Sequence, residues 1–405
     1  MTVNVELSRD DDPKKKQFWS RTIHLKLQSC HVVLRRILNG LVSPKFVDMD
    51  QRRLPLKLIV FFLLQIILYV AAWRTIQPKE TDFPAFYSAA RIWASGRNPY
   101  DLENQCQVQL PIRGVPCLPF AHPPVVLPLI SLVSNDDFIK SYYRWCFLLV
   151  MVAAVCILPL YYLSGEWKLS IQTILFFPII VSITFSQDTV FILLGILLWI
   201  WLLISKRDLL SGLALSIAVL KPQIAILLAL PLLFCRPKAF AGFCIGATVL
   251  VTYSLVLVGV HGFSGLLQII QIMSHDQGYG VNAKVMQNAT ALLVRIGFSP
   301  VWSWLVFLLG MIVISIYWKV KGTSLRELSA GIVVALFSAP HLHFHDLSLL
   351  TPGLFLIHPL STMLASIALL VAYAFALQQW FGYGLMLALF IWLIIRRLKG
   401  PVSGA

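Results

Sequence analysis

Five short stretches of a mostly apolar chain carry side chains that can move protons or hold anions. In TDFPAFYSAARIWASGRNPYD, Asp82 is a carboxylate that could accept a proton from a substrate hydroxyl, and Tyr87, Arg91, Tyr100 and Asp101 follow it as candidate substrate contacts. The same carboxylate stands where a helix N-cap belongs, with Pro84 in the first turn behind it, so a purely structural use sits beside the chemical one. In FAHPPVVLPL, His122 precedes two prolines that break a helix and can aim the segment at a cavity. SQDT places Gln187 and Asp188 in a tight turn. LKPQ places Lys221 at a helix end beside Pro222, where snorkelling toward head groups is the alternative to ligand binding.

The fifth stretch, SAPHLHFHD, gathers His341, His343, His345 and Asp346 near the end of an apolar run. Three imidazoles this close suit either a metal ion or a phosphate. On a helix, the spacing i, i+2, i+4 brings only His341 and His345 to one face, and there is no HExxH pattern. No metal and no cofactor are therefore expected, and the histidines with Lys221 are candidates for holding a phosphate as point charges and donors.

The elements that must position these residues are membrane helices. The 405 residues are 58% hydrophobic and only 13% charged, where soluble domains carry about a quarter charged residues; the mean hydropathy is +0.78. In lipid only a helix satisfies its backbone one segment at a time, so the fold expected is an all-α polytopic bundle of roughly 12 spans with amphipathic helices in the external loops. The net charge of +15 would suggest nucleic acid in a soluble protein. Here Lys and Arg crowd residues 1–54 and recur in short loops, a pattern that sets topology, so no nucleic-acid partner is expected. That basic segment, a cytoplasmic one, is either drawn to the anionic inner leaflet or a solvated tail, and residues 55–400 form the membrane domain. The first long apolar run starts near Pro55, too deep for a cleavable signal peptide.

Spans are predicted from Leu56 to Trp73, then after a long external loop from Tyr142 to Leu163, Leu169 to Phe185, Val190 to Ile204, Leu209 to Leu220, Ile224 to Phe234 and Phe240 to Val260. A second external loop is predicted from His261 to Ser299, followed by about five further helices. Within the first loop, PAFYSAARIWASG predicts a short amphipathic helix lying along the membrane surface, ended by the turn NPYD. Lys168, Lys206, Arg207, Arg236 and Lys238 sort to the cytoplasmic side in this register, while Asp82, Gln187, Asp188 and Lys221 sort to the outer one. Cys106 and Cys117 share the first loop and are either bridged, in an oxidising compartment, or free.

In this order the stretches resemble glycosyltransferase family 87, a branch of the multi-span C superfamily. The resemblance rests on an Asp after the first span followed by YSAAR and ASGRNPYD, the proline pair before LPL, the SQDT turn, KPQ, the Asn-bearing QNATALLVRIG and the SAPHLHFHD helix end. It covers most of the chain from Leu56 onward. One departure is Ser186, which stands where a glycine often precedes the family's Gln; the run of three histidines is another, and it leaves open which imidazole meets the phosphate. The triplet Asn288-Ala289-Thr290 is also an N-glycosylation sequon, accidental in a bacterial chain.

The resemblance implies an enzyme of the cell inner (plasma) membrane, with its active site on the extracytoplasmic side. It would take a sugar, mannose first among the expectations, from a polyprenyl-phosphate donor to a lipid or glycan acceptor with inversion. Asp82 matches the family's general base; His341, His343, His345 and Lys221 would stabilise the leaving phosphate; Gln187, Asp188, Asn288, His122, Tyr87, Arg91, Tyr100 and Asp101 would contact substrate. The rival readings are a secondary transporter and a flippase of lipid-linked glycans. The collection of polar candidates at one face, with no internal repeat, argues against the transporter.

Overall fold

The computed structural model describes residues 76–114, 117–274, 283–354, 359–374 and 378–398, with scattered positions from 63 to 74. The basic segment 1–54 and most of the first predicted span lie outside these residues. Every described element is helical, and there is no strand among the described residues.

The chain enters with α1 (Phe83–Ala94), whose Pro84 suits the first turn, and α2 (Leu102–Arg113), capped by the Asp101 carboxylate accepting from Asn104 N at 3.2 Å. The seven residues between them form the expected turn, with Gly96 at φ 76° where a side chain would be strained. Helix α1 forms over the predicted residues but does not lie on a surface: Phe83 through Ala90 and Ile92 are all buried. It packs instead between α2 and α3 (Leu127–Val133). A Cys106–Cys117 disulfide closes the segment that leaves α2.

Helices α4 (Phe138–Val155) and α5 (Ile157–Ser164) run on as one apolar rod of 27 residues that ends at Gly165. The predicted span from Leu169 to Phe185 is two helices, α6 (Trp167–Ile174) and α7 (Phe177–Thr184), broken just ahead of Pro178. The Leu175 carbonyl at the break accepts from Gln65 Nε2 at 2.6 Å and Tyr69 Oη at 2.5 Å, so side chains satisfy an acceptor that the break frees. Hydropathy cannot see this break, because both halves are apolar.

Helix α8 (Thr189–Ile204) is apolar on all sides and buried for most of its length, which makes it the axis of the bundle. Against it pack α4 and α9 (Asp208–Leu215), which tightens into a 3-10 turn over Ser216–Leu220, and α10 (Pro222–Cys235) packs on that turn. The 38-residue α11 (Pro237–Ser274) follows. Its backbone at Gly259 is non-helical, with φ 68° and ψ 179°, and helix resumes beyond it, so His261 to Ser274, predicted as loop, is helical. Gly212 and Gly242 leave no room for a Cβ where α9 crosses α11, the small-residue contact that lets helices approach closely in lipid.

Helices α12 (Ala289–Arg295), α13 (Trp302–Lys321), α14 (Leu325–Ser338), α15 (Thr351–Leu354), α16 (Pro359–Ala374) and α17 (Gln378–Leu398) complete the chain. Among the described residues, three helical stretches are long and apolar enough to cross a membrane, namely Phe138–Ser164, Pro237–Met273 and Trp302–Lys321, and shorter apolar helices flank them. Leu308, Leu309, Ile312, Val313 and Ile316 of α13 and Val256 of α11 are exposed, as lipid-facing positions are. The chain is thus a membrane protein in which Asp82, Gln187, Asp188, Lys221 and the stretch from His341 to Asp346 all fall at breaks and helix ends.

Candidate active site

Asp82 immediately precedes α1 and is formally its N-cap, yet its side chain makes no capping hydrogen bond. The carboxylate turns away to accept from Gln187 Nε2 through Oδ2. Burial pushes the Asp82 carboxyl above the usual carboxylate range, and His343, His122, Lys221 and Arg113 draw it back down. A carboxyl with a raised pKa holds a proton more firmly than a free one, which suits a group that must take a proton from a hydroxyl.

Gln187 is aimed by the turn between α7 and α8. The turn reverses at Ser186, whose φ of 64° lies in the left-handed region that glycine adopts freely and other residues adopt at a cost of roughly 1–2 kcal/mol. Neighbouring hydrogen bonds hold it there: Gln187 N donates to Ser182 O at 2.7 Å, Trp145 Nε1 to Ser186 O at 3.0 Å and Tyr142 Oη to Thr184 O at 2.8 Å. Ser186 thus takes a conformation that a glycine adopts freely.

One residue beyond, Asp188 Oδ2 bonds His122 Nδ1 at 2.9 Å, while Asp188 Oδ1 is buried with no partner among the described residues. The His122 ring sits between Phe86 and Phe120, with ring centroids 4.4 and 5.5 Å away, so its orientation is fixed from three sides.

Lys221, at the start of α10, forms the second centre. Its Nζ donates to Asp346 Oδ1 and, at 3.0 Å, to Thr189 Oγ1, and lies 3.3 Å from His345 Nε2. Thr189 Oγ1 donates in turn to Asp346 Oδ1 at 3.1 Å, and Asp346 Oδ2 accepts from His343 N at 2.9 Å. Lys221 is buried and bound to a carboxylate, not extended toward lipid head groups. The histidines do not follow helical spacing, because α14 ends at Ser338, His341 and His343 lie on irregular backbone, and His345 opens a 3-10 turn over Phe344–Leu350. Their rings follow one another instead, at 4.5 Å for His341 to His343 and 5.7 Å for His343 to His345. Among the described residues no group of His, Cys, Asp or Glu could hold a metal ion. The Lys221 ammonium 3.3 Å from His345 Nε2 disfavours a cation at that nitrogen.

Of the remaining candidates, Asn288 and Tyr100 brace this centre. Asn288 caps α12 by accepting from Ala291 N at 3.2 Å and donates to Ala339 O at 2.6 Å; Thr290 Oγ1 donates to Pro340 O at 2.9 Å, so the histidine segment is held from outside. Tyr100 Oη donates to His122 O at 2.7 Å and Tyr87 Oη to Asn135 O at 2.8 Å. Asp101 caps α2, and Arg91 pairs with Asp136 at 2.5 Å on the surface, apart from the rest. Asp82, His122, Gln187, Asp188, Lys221 and the histidines thus converge, while Arg91 and Asp101 do not join them. Thr189 went unread because a lone threonine ending an SQDT turn has no signature, and Asp346 stood in the fifth stretch without an assigned partner.

No curated protein and no solved structure matches the chain. The family model described as Glycosyltransferase family 87 matches residues 120–352, more than half of the chain, from the His122 segment to just past the histidines and Asp346, and it begins after Asp82. With its apolar helices and a polar centre built at their ends, the chain belongs to glycosyltransferase family 87 and is a membrane glycosyltransferase.

Proposed function

We propose that this glycosyltransferase takes its sugar, mannose, from a polyprenyl-phosphate donor and passes it to a lipid or glycan acceptor with inversion, with Asp82 as general base. The observation that carries the reading is the hydrogen bond from Gln187 to Asp82, which presents a raised-pKa carboxylate beside the buried Lys221, His345 and Asp346 centre. In the proposed step the acceptor oxygen bonds to the anomeric carbon and its proton passes to Asp82. The bond from that carbon to the phosphate oxygen breaks, and prenyl phosphate leaves. Lys221 and the histidines stabilise the charge that grows on the leaving phosphate, the task worth most in a site shielded from water.

The site is proposed to open on the extracytoplasmic side of the plasma (inner) membrane. The Cys106–Cys117 disulfide beside α1 supports that side, since such bonds persist in oxidising compartments. The remaining apolar helices are proposed to complete about 12 crossings.

The test is transfer of radiolabelled sugar from synthetic polyprenyl-phosphate-mannose to membrane lipid extract by purified protein. Asp82→Ala and Asp82→Asn should each lower turnover by about 10²–10⁴-fold with donor binding retained. Undiminished turnover would remove Asp82 from the mechanism. Absence of transfer from any prenyl-phosphate sugar would move the protein to another donor class, or to flipping lipid-linked glycans.

A further inference from the structure

Helix α2 carries Gln105, Gln109 and Arg113 at i, i+4 and i+8, one stripe along a single face. The first two are fully buried and use their amides on the surrounding backbone. Gln105 Nε2 donates to Pro99 O at 2.6 Å and its Oε1 accepts from Phe120 N at 2.8 Å. Gln109 Nε2 donates to Ser88 Oγ at 3.0 Å and to Leu118 O at 2.8 Å, and its Oε1 accepts from Leu118 N at 2.8 Å. The third position breaks the pattern. Arg113 Nη1 is buried and has no hydrogen-bond partner among the described residues.

The hairpin fixes where Arg113, a half-buried residue, leaves the helix. Gln109 meets Ser88 across the pair, so with α1 and α2 folded back on each other Arg113, four residues on, falls opposite Pro84, one short step from Asp82. Helix α2 also touches the turn Pro78–Glu80 that leads into Asp82. Arg113 is near enough to act electrostatically on the Asp82 carboxyl. Of the other groups facing Asp82, Lys221 is engaged by Asp346 and His122 by Asp188, and His343 faces it from the histidine segment. The Cys106–Cys117 disulfide ties off the segment on either side of Arg113, and Gly114, at φ 74°, turns the chain immediately after it.

A buried cationic nitrogen without a partner is costly to keep, and a planar fork of donors matches phosphate oxygens two at a time. We infer that Arg113 is an anion-binding residue of this site and takes the phosphate of a prenyl phosphate, on the α2 side of Asp82, facing the centre built on Lys221. The inference deepens the proposed donor class and rests on it for the identity of the anion. It places the phosphate between Arg113 and the Lys221 centre, where Lys221 Nζ is already shared among Asp346, Thr189 and His345 while Arg113 Nη1 has no partner among the described residues.

The experiment measures binding of farnesyl phosphate, with inorganic phosphate as competitor, to the full-length protein in lipid nanodiscs. Wild type, Arg113→Gln and Arg113→Lys are compared, with thermal stability followed in parallel. Arg113→Gln is expected to weaken farnesyl phosphate binding by about tenfold or more, and Arg113→Lys by less, since the charge stays and the fork is lost. Displacement by inorganic phosphate assigns recognition to the head group alone, and failure to displace assigns it to the head group joined to its lipid chain; either is consistent only if the Arg113 dependence holds. A dissociation constant unchanged within about twofold in both variants overturns the inference, as does a loss of melting temperature in Arg113→Gln with binding intact. If Arg113→Gln does not fold, the lysine variant carries the test. Because no sugar is present, the result is independent of the transfer assay, and Arg113 could hold phosphate in an enzyme that fails to use mannose.

Discussion

The side-chain amide of Gln187 donates to Oδ2 of Asp82 across 105 positions of sequence, and among the described residues Asp82 Oδ1 accepts no hydrogen bond. One carboxylate oxygen is therefore held and the other is left to meet a hydroxyl. Gln187→Ala frees the carboxylate to rotate and is expected to lower turnover by about 10–100-fold with little change in stability. Gln187→Glu replaces a donor by a like charge and should cost more. Kinetics of sugar transfer on both variants decide the point, and equal activity in the two would mean that the amide does not position Asp82.

The pH profile follows from the same carboxyl. A base works only when ionised, so with its pKa raised by burial, kcat/KM should fall as pH drops through a value above the ordinary carboxylate range of about 4. Arg113 is one of the groups drawing that pKa down, so Arg113→Gln should move the acid limb to higher pH. A limb that stays in place would show that Arg113 does not act on Asp82.

Lys221 and Asp346 form a buried pair, and removing one partner leaves the other charge uncompensated. Lys221→Met or Asp346→Leu alone is expected to destabilise by about 3–5 kcal/mol, while the double variant recovers most of that loss because neither charge remains. Turnover should stay low in all three. Thermal shift and transfer assays on the four proteins separate the two roles, and recovered activity in the double variant would show that the pair serves stability alone.

Ser186 holds a left-handed conformation between α7 and α8. Ser186→Gly relieves that strain at some cost in unfolded-state freedom, so it should be neutral or stabilising by up to about 1 kcal/mol with activity kept. Ser186→Val places a β-branched residue in the same conformation and should destabilise by about 1–3 kcal/mol and reduce turnover, because Gln187 is the next residue. Melting temperatures in detergent read both changes.

How much of this was legible varies with the range of the interaction. Composition alone points to a helical membrane protein, and the basic loops sort Asp82, Gln187, Asp188 and Lys221 to one side before any contact is known. Hydropathy missed the break at Leu175 and Phe176 and the helix from His261 to Ser274, because a window average cannot detect a local change of backbone inside an apolar run. Helical spacing also misled at His341 to His345, since α14 stops at Ser338. Which charges pair was beyond a single sequence. Lys221 and Asp346 lie 125 positions apart, and no spacing rule reaches that far. Arg113 was passed over because a basic residue ending a polar loop helix looks like a favourable dipole contact.

Asn288 has consequences for the choice of production host. Its amide is wholly enclosed, with Oδ1 on Ala291 N and Nδ2 on Ala339 O, so the Asn288-Ala289-Thr290 triplet is inaccessible once the chain has folded. On the proposed extracytoplasmic side the triplet would meet the eukaryotic oligosaccharide-transfer machinery in the nascent chain, before that enclosure exists, and the bulky modification could not then be fitted beneath the histidine segment. Yeast or insect expression would therefore divide the product into a glycosylated fraction unable to close its centre and an unmodified fraction that can, whereas a bacterial host yields one population.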